Sequence, residues 1–212
     1  MSKSLYITAT ETASGKSAIC LGVMQLLLRH VGKAAFFRPI IAGDGDGPDH
    51  DTNLMLRNFH LDMDESATHA FTLTQARELI GAGKSDQLME TILDKYTELA
   101  KKHDFVLCLG TDFQGKDANF EFDLNAEIAA NLGSPMLLVV GGKDKQPEDI
   151  IQSARLTVDA LDEKSVDVEA IVVNRLETGD ANVVVAGIQA KIKGGDKILV
   201  YAVPEDESLG KP

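Results

Sequence analysis

The chain has 212 residues, 44% of them hydrophobic, which suits one large folded domain. Its 33 acidic side chains against 21 basic ones give a net charge of −12. That balance excludes nucleic acid and anionic membrane surfaces as partners, because both are held through clustered Lys and Arg.

Ser4–Thr8 is the first expected strand, and the segment Ala9-Thr10-Glu11-Thr12-Ala13-Ser14-Gly15-Lys16-Ser17 follows it directly. An amphipathic helix is expected over Ala18–His30, with Ile19, Val23, Leu26 and Leu27 on one face and Gly32 ending it. Ala34–Ile40 reads as the second strand. A breaker-rich loop, Gly43 to Asp51, comes next, and Asp51 or Thr52 is placed to cap a short helix through Phe59. Thr74–Gly81 reads as a short helix. Ser85 reads as the cap of a longer helix reaching Lys102, with Leu88, Ile92, Tyr96 and Leu99 at helical spacing. Phe105–Leu109 and Met136–Val140 are continuous apolar runs, the pattern of parallel strands covered on both faces. Helices are expected at Asp123–Leu132, Pro147–Leu161 and Asn182–Lys193, and strands at Val168–Val173 and Lys197–Val203. The alternation predicts a three-layer α/β/α fold, a parallel sheet of about six or seven strands with helices on both faces. No apolar run approaches the length of a membrane span, and the N-terminus has no signal pattern. Cys20 and Cys108, the two cysteines, read as small buried hydrophobes in a reducing cytoplasm. The tail after Val203 reads either as the end of a piece of a longer protein or as a frayed terminus.

Strand, tight loop ending in Gly15-Lys16-Ser17, then helix is the arrangement that holds a nucleotide phosphate. Amides of the loop and helix start would face the anion, Lys16 would reach the outer phosphates, and the Ser17 hydroxyl would serve Mg²⁺. The common G-x-x-x-x-G-K-[ST] pattern is not met, since Thr10 occupies the first glycine position. The competing reading is a helix start capped by Ser14 or Ser17 with an incidental lysine.

Other candidates are weaker. Asp44, Asp46, Asp49 and Asp51 fail the calcium-loop order because Pro48 takes its third position, so a solvated turn is expected. Arg38, at the end of the second strand, is either a clamp for carboxylate or phosphate or a surface charge. Asp112 is either an acid near a metal or a turn residue. The five histidines are scattered without ligand spacing, and Glu127 and Glu163 read as solvated.

The loop resembles that of dethiobiotin synthetase and its relatives, Gly-Thr-Asp-Thr-x-x-Gly-Lys-Thr, with Ala9 at the first glycine and Glu11 at the Asp. The resemblance implies nucleotide contacts from Thr10, Glu11, Thr12, Ala13, Ser14, Gly15, Lys16 and Ser17, from Asn174 and Pro204 at later strand ends, and a ligand contact from Arg38. It implies Mg²⁺ at Ser17 with Asp49 or Asp51 across from it, and Asp112 standing in for the glutamate those ligases carry where this chain has Leu109. The whole chain is also similar to the N-terminal domain of the long bacterial form of phosphate acetyltransferase. That similarity lies in Leu21-Gly22-Val23, Phe37-Arg38-Pro39-Ile40, Leu88-Met89-Glu90-Thr91-Ile92, Asn125-Ala126-Glu127-Ile128-Ala129, Ile171-Val172-Val173-Asn174-Arg175-Leu176 and Tyr201-Ala202-Val203-Pro204-Glu205-Asp206. It implies a dethiobiotin-synthetase-like P-loop domain that binds ATP or another nucleotide with Mg²⁺, or a small anionic effector. The acetyl-transfer site would then lie in a C-terminal acetyltransferase domain outside these residues, in a homo-oligomer. Some members of that family lack the loop lysine; Lys16 is present here. A stand-alone ATP-dependent carboxylate ligase and a non-catalytic module with a vestigial loop are the alternatives.

Overall fold

The structure, a computed structural model, describes residues 3–42, 49–111, 118–177 and 179–206, with the backbone only for residues 118 and 119. In chain order its elements are β1 (Lys3–Ala9), α1 (Lys16–Leu27), β2 (Ala34–Phe37), β3 (Ile40–Ile41), α2 (His50–Phe59), a 3-10 turn (Glu65–Ala67), β4 (Phe71–Thr72), α3 (Leu73–Gly81), α4 (Ser85–Lys102), β5 (Phe105–Leu109), α5 (Ala118–Leu132), β6 (Met136–Gly141), α6 (Pro147–Glu163), β7 (Val168–Leu176), α7 (Ala181–Lys191) and β8 (Leu199–Pro204).

Six strands form one sheet in the order β2-β5-β1-β6-β7-β8, and every neighbouring pair in it is parallel. The continuous apolar runs predict this, since a strand buried on both faces has no polar side to turn to water. Tyr6, Ala35, Phe37, Cys108 and Met136 point to one face and pack on α3, α4 and α5, and Leu138, Val140, Ile171 and Val173 continue that face under α6 and α7. Ile7, Phe36, Leu107, Leu109, Val139 and Val172 point to the other face, against Cys20 and Met24 of α1 and Met55 of α2. The outer strand β8 carries Leu199 and Tyr201, in register with Ala170 and Val172 on this second face, with about half of their surface exposed. The expected three-layer α/β/α architecture is observed. Among the described residues no helix is long and apolar enough to cross a membrane.

The structure corrects several local expectations. The strand expected over Ala34–Ile40 stops at Phe37, because Arg38 N–H leaves the sheet to bond Thr68 O at 2.7 Å and Pro39 has no N–H to give. Ile40–Ile41 then pairs separately with Phe71–Thr72. The cap of α2 is Asp49, whose carboxylate accepts from Thr52 N at 3.0 Å; neither Asp51 nor Thr52 caps it. Thr72 and Gln75 form a reciprocal capping box at α3. Ser85 is the first residue of α4, and the Lys84 position before it makes no side-chain cap. α5 starts at Ala118, before the expected Asp123, with Phe120 and Phe122 packed on the core.

Candidate functional site

Between Ala9 and Lys16 the chain crosses the carboxyl ends of the central strands. Thr10 N–H extends the sheet by one bond, to Val139 O at 3.0 Å. The loop then turns through two left-handed residues, Ala13 (φ +58°) and Gly15 (φ +82°). Gly15 precedes α1, and no side chain caps that helix, so the reading of Ser14 or Ser17 as a cap falls. Ala9, at the position where the ligases carry glycine, belongs to β1, where a methyl carries no conformational cost.

Asn174 and Arg175, at the end of β7, hold the loop from one side. Asn174 Nδ2 donates to Ser14 O at 2.8 Å, and Arg175 Nη1 donates to Ala13 O at 3.2 Å. A Cβ on residue 15 would lie 2.2 Å from Asn174 Nδ2, so glycine is required there by approach as well as by φ. In a trans peptide the C=O and the following N–H point opposite ways. With the carbonyls of Ala13 and Ser14 drawn toward β7, the N–H groups of Ser14 and Gly15 face away from it. Together with the uncapped start of α1 they make a set of donors suited to an anion.

Lys16, at 4% exposure, turns back toward the sheet. Its Nζ donates to Gly110 O, and to Thr111 O at 3.1 Å, just past β5. Thr111 is fixed in turn by Asn125 of α5, whose Oδ1 accepts from Thr111 N at 2.9 Å and from Tyr6 Oη at 2.8 Å, and whose Nδ2 donates to Thr111 O at 3.3 Å. A Cβ on residue 110 would meet Asn125 Oδ1 at 2.6 Å, which explains the glycine. Burial keeps the Tyr6 hydroxyl protonated, its pKa well above the ordinary tyrosine value. The network Tyr6–Asn125–Thr111–Lys16 ties the loop lysine to both β5 and α5. Sequence reasoning missed Tyr6, Thr111 and Asn125 as site residues; the available signal was a polar Asn125 on the buried side of a helix, between Leu124 and Ala126.

Arg38 is neither a surface charge nor open at Nη1. It is 2% exposed, and Nη1 reaches Asp49 Oδ1 and Oδ2 at 2.9 and 2.8 Å and Asp51 Oδ2 at 2.7 Å. Asp49 and Asp51, expected in a solvated turn, are 9% and 7% exposed. Asp49 accepts from Thr52 Oγ1 as well, at 3.0 Å. The helix that Asp49 caps, α2, packs on α1, Met55 lying in one cluster with Cys20 and Met24. Asp51 keeps one oxygen on the arginine. Asp44, Asp46 and Asp112 lie outside the described residues. Ser17 is the second residue of α1, half-buried, and Pro204 closes β8, exposed at the same end of the sheet. Among the described residues no group of three His, Cys, Asp or Glu side chains is placed to hold a metal.

Lys143, Lys145, Arg175 and Glu205, which sequence reasoning did not single out, add charges around the loop. Lys145 Nζ bonds Glu11 Oε1. Glu205 accepts from Arg175 Nε at 2.8 Å and Nη2 at 3.1 Å, and from Lys143 Nζ at 3.2 Å. Hydrogen bonding from Arg175, helped by Lys143, brings the Glu205 pKa down from the usual 4.5 to about 2. Because the folded value lies below the unfolded one, the pair's contribution to stability is complete above the unfolded pKa and is lost as pH falls toward about 2. The expected result is a Glu205 carboxyl carbon that shows no NMR titration step near 4.5 and stays ionised down to nearly 2; a step at the usual value would show that the Arg175 pair is not formed in solution.

The sequence matches the AAA_26 family, an AAA domain, over residues 3–212. The chain belongs to this family. It is 51% identical over 215 residues to a phosphate acetyltransferase of Nitratidesulfovibrio vulgaris, covering 100% of this chain and 30% of that protein. It is 35% identical over 212 residues to a phosphate acetyltransferase of Synechocystis, again covering 30% of the relative. The chain thus spans less than a third of the length of these relatives, in keeping with the N-terminal domain of a long-form enzyme. Among solved structures, a plasmid partition protein of Borrelia burgdorferi bound to AMPPNP superimposes with a TM-score of 0.61 at 11% identity, over 99% of this chain and 88% of that one. An McdA–ATP complex from Cyanothece gives 0.55 at 11% identity, over 97% and 84%. At these identities the likeness is one of fold, that of P-loop proteins.

Proposed function

We propose that this domain is the nucleotide- or anion-sensing N-terminal part of a phosphate acetyltransferase, the enzyme that interconverts acetyl-CoA plus phosphate with acetyl phosphate plus CoA. The observation that carries the reading is the 51% identity along the whole chain to a protein of which it forms 30%. The anion would bind at residues 10–17, with donors from Ser14, Gly15, Lys16 and the start of α1. The ligand would be ATP with Mg²⁺, and Ser17 and Asp51 would serve the metal. Acetyl transfer would take place elsewhere in the longer protein, and effector and substrate would shift each other's affinity by the same factor.

The engagement of Arg38 by Asp49 and Asp51 favours this reading over a stand-alone ligase, in which that strand end holds the substrate. The test compares residues 1–212 with the longer protein. Calorimetry should detect ATP with Mg²⁺ on the short chain, and acetyl phosphate formation should appear only with the long one. Acetyl transfer by the 212 residues alone would refute the division of labour.

A further inference from the structure

Arg175 occupies an unusual place for an arginine. Its φ is +61°, left-handed, and the β7–β8 register shifts between Asn174 and Leu176 across it. An irregularity of this kind re-aims a side chain out of the alternation of its strand. Here it swings the guanidinium over the phosphate loop. The same group bridges two places: Nη1 donates to Ala13 O at 3.2 Å, while Nε and Nη2 grip the Glu205 carboxylate. Glu205 follows β8 directly and is anchored by its own N–H, which bonds Leu176 O at 2.9 Å. Its carboxylate also takes Lys143. Within the loop itself Glu11 takes Lys145. Two internal carboxylates thus engage three cations around a loop whose proposed ligand is itself an anion.

We infer that Arg175 is a positioning residue for the anion site, orienting the Ala13–Ser14 peptide, and that Glu205 is a built-in counter-anion that holds the site's affinity down. The inference rests on the proposed function for the ligand class, a polyphosphate such as that of a nucleoside triphosphate, and on geometry for the positioning. The geometry is specific to arginine. A lysine has one nitrogen and cannot reach Ala13 O and both carboxylate oxygens of Glu205 together. The two partners also act in opposite directions. Removing Arg175 removes a cation and lets the Ala13–Ser14 peptide turn. Converting Glu205 to glutamine keeps an oxygen for Arg175 but deletes the negative charge, leaving the loop surroundings more positive.

The experiment measures ATP with Mg²⁺ and, separately, inorganic tripolyphosphate by calorimetry on the 212-residue chain and on Arg175→Met, Arg175→Lys and Glu205→Gln. Arg175→Met is expected to weaken both ligands by about fivefold or more, and Arg175→Lys to restore less than half of that loss. Glu205→Gln is expected to tighten both by about two- to fivefold at low salt, the gain shrinking as salt rises. A role that is only structural would make Glu205→Gln weaken binding as Arg175→Met does, and that result, or changes within twofold for both, would overturn the inference. The amide resonances of Ser14 and Gly15 give a second readout without ligand. They should shift in Arg175→Met and stay close to their original positions in Glu205→Gln. Binding of neither ligand by the unaltered chain would sink the proposed function, and the amide shifts would then still decide the positioning role: unmoved amides in Arg175→Met would end it.

Discussion

Replacing Arg38 by methionine is expected to lower stability by about 3–5 kcal/mol, the cost of leaving buried carboxylates without their cation. Asp49 and Asp51 are both buried, and both converge on one nitrogen of Arg38, which is buried with them. Methionine fills much of the same space, so the loss would report charge rather than volume. Urea denaturation of the unaltered chain and the variant measures it. The companion variant, Arg38→Met with Asp49→Asn and Asp51→Asn, should recover much of the loss, because removing both sides of a buried ion pair costs far less than removing one. The Asp49→Asn change keeps a side-chain oxygen to cap α2. A loss below about 1 kcal/mol for Arg38→Met would mean that water reaches the two carboxylates. The cluster joins the end of β2 to the start of α2 beside α1, so its failure should loosen the face of the sheet that α1 and α2 cover.

Replacing Lys16 by methionine is expected to weaken ATP with Mg²⁺ by about tenfold to a hundredfold, the worth of a charge-assisted hydrogen bond of about 1.5–3 kcal/mol. Lys16 is held by Gly110 O and Thr111 O rather than extended along the loop. Those carbonyls stabilise its ammonium and hold it just past the end of β5. Thr111 O keeps Asn125 Nδ2 when Lys16 is lost, so the damage to the fold should be smaller than in the Arg38 variant. Calorimetry on a variant shown to be folded by circular dichroism separates the two effects. Unchanged affinity would move the anion away from the loop and support the vestigial reading.

The layers of this fold were legible because the strands that build it are apolar without interruption. Phe105–Leu109 and Met136–Val140 have no polar side to offer water, and that alone orders them into the middle of a parallel sheet. The end of β2 was not legible. Phe36 and Phe37 run on into Ile40 and Ile41, and the break at Arg38-Pro39 depends on a bond to Thr68, far along the chain. The loop itself was visible as a motif, but its fastening was not. Asn174 could be placed at a strand end by resemblance, whereas Arg175 became informative only when its left-handed backbone and its two partners were seen together. Arg38 was visible as a charge at a strand end, and sequence alone could not tell that Asp49 and Asp51 claim it. Pairings between distant segments carry no local signature, and the polar part of this site is made almost entirely of them.

The two thiols lie on opposite faces of the sheet, Cys108 under α4 and α5 and Cys20 within α1, and burial pushes the pKa of each well up. A thiol reagent attacks the thiolate, so neither sulfur should react until its own layer opens. The domain therefore carries one intrinsic clock per side: modification of Cys20 times the release of the first helix, modification of Cys108 times the opposite layer, and equal rates for both would mean that the protein comes apart as a single cooperative unit.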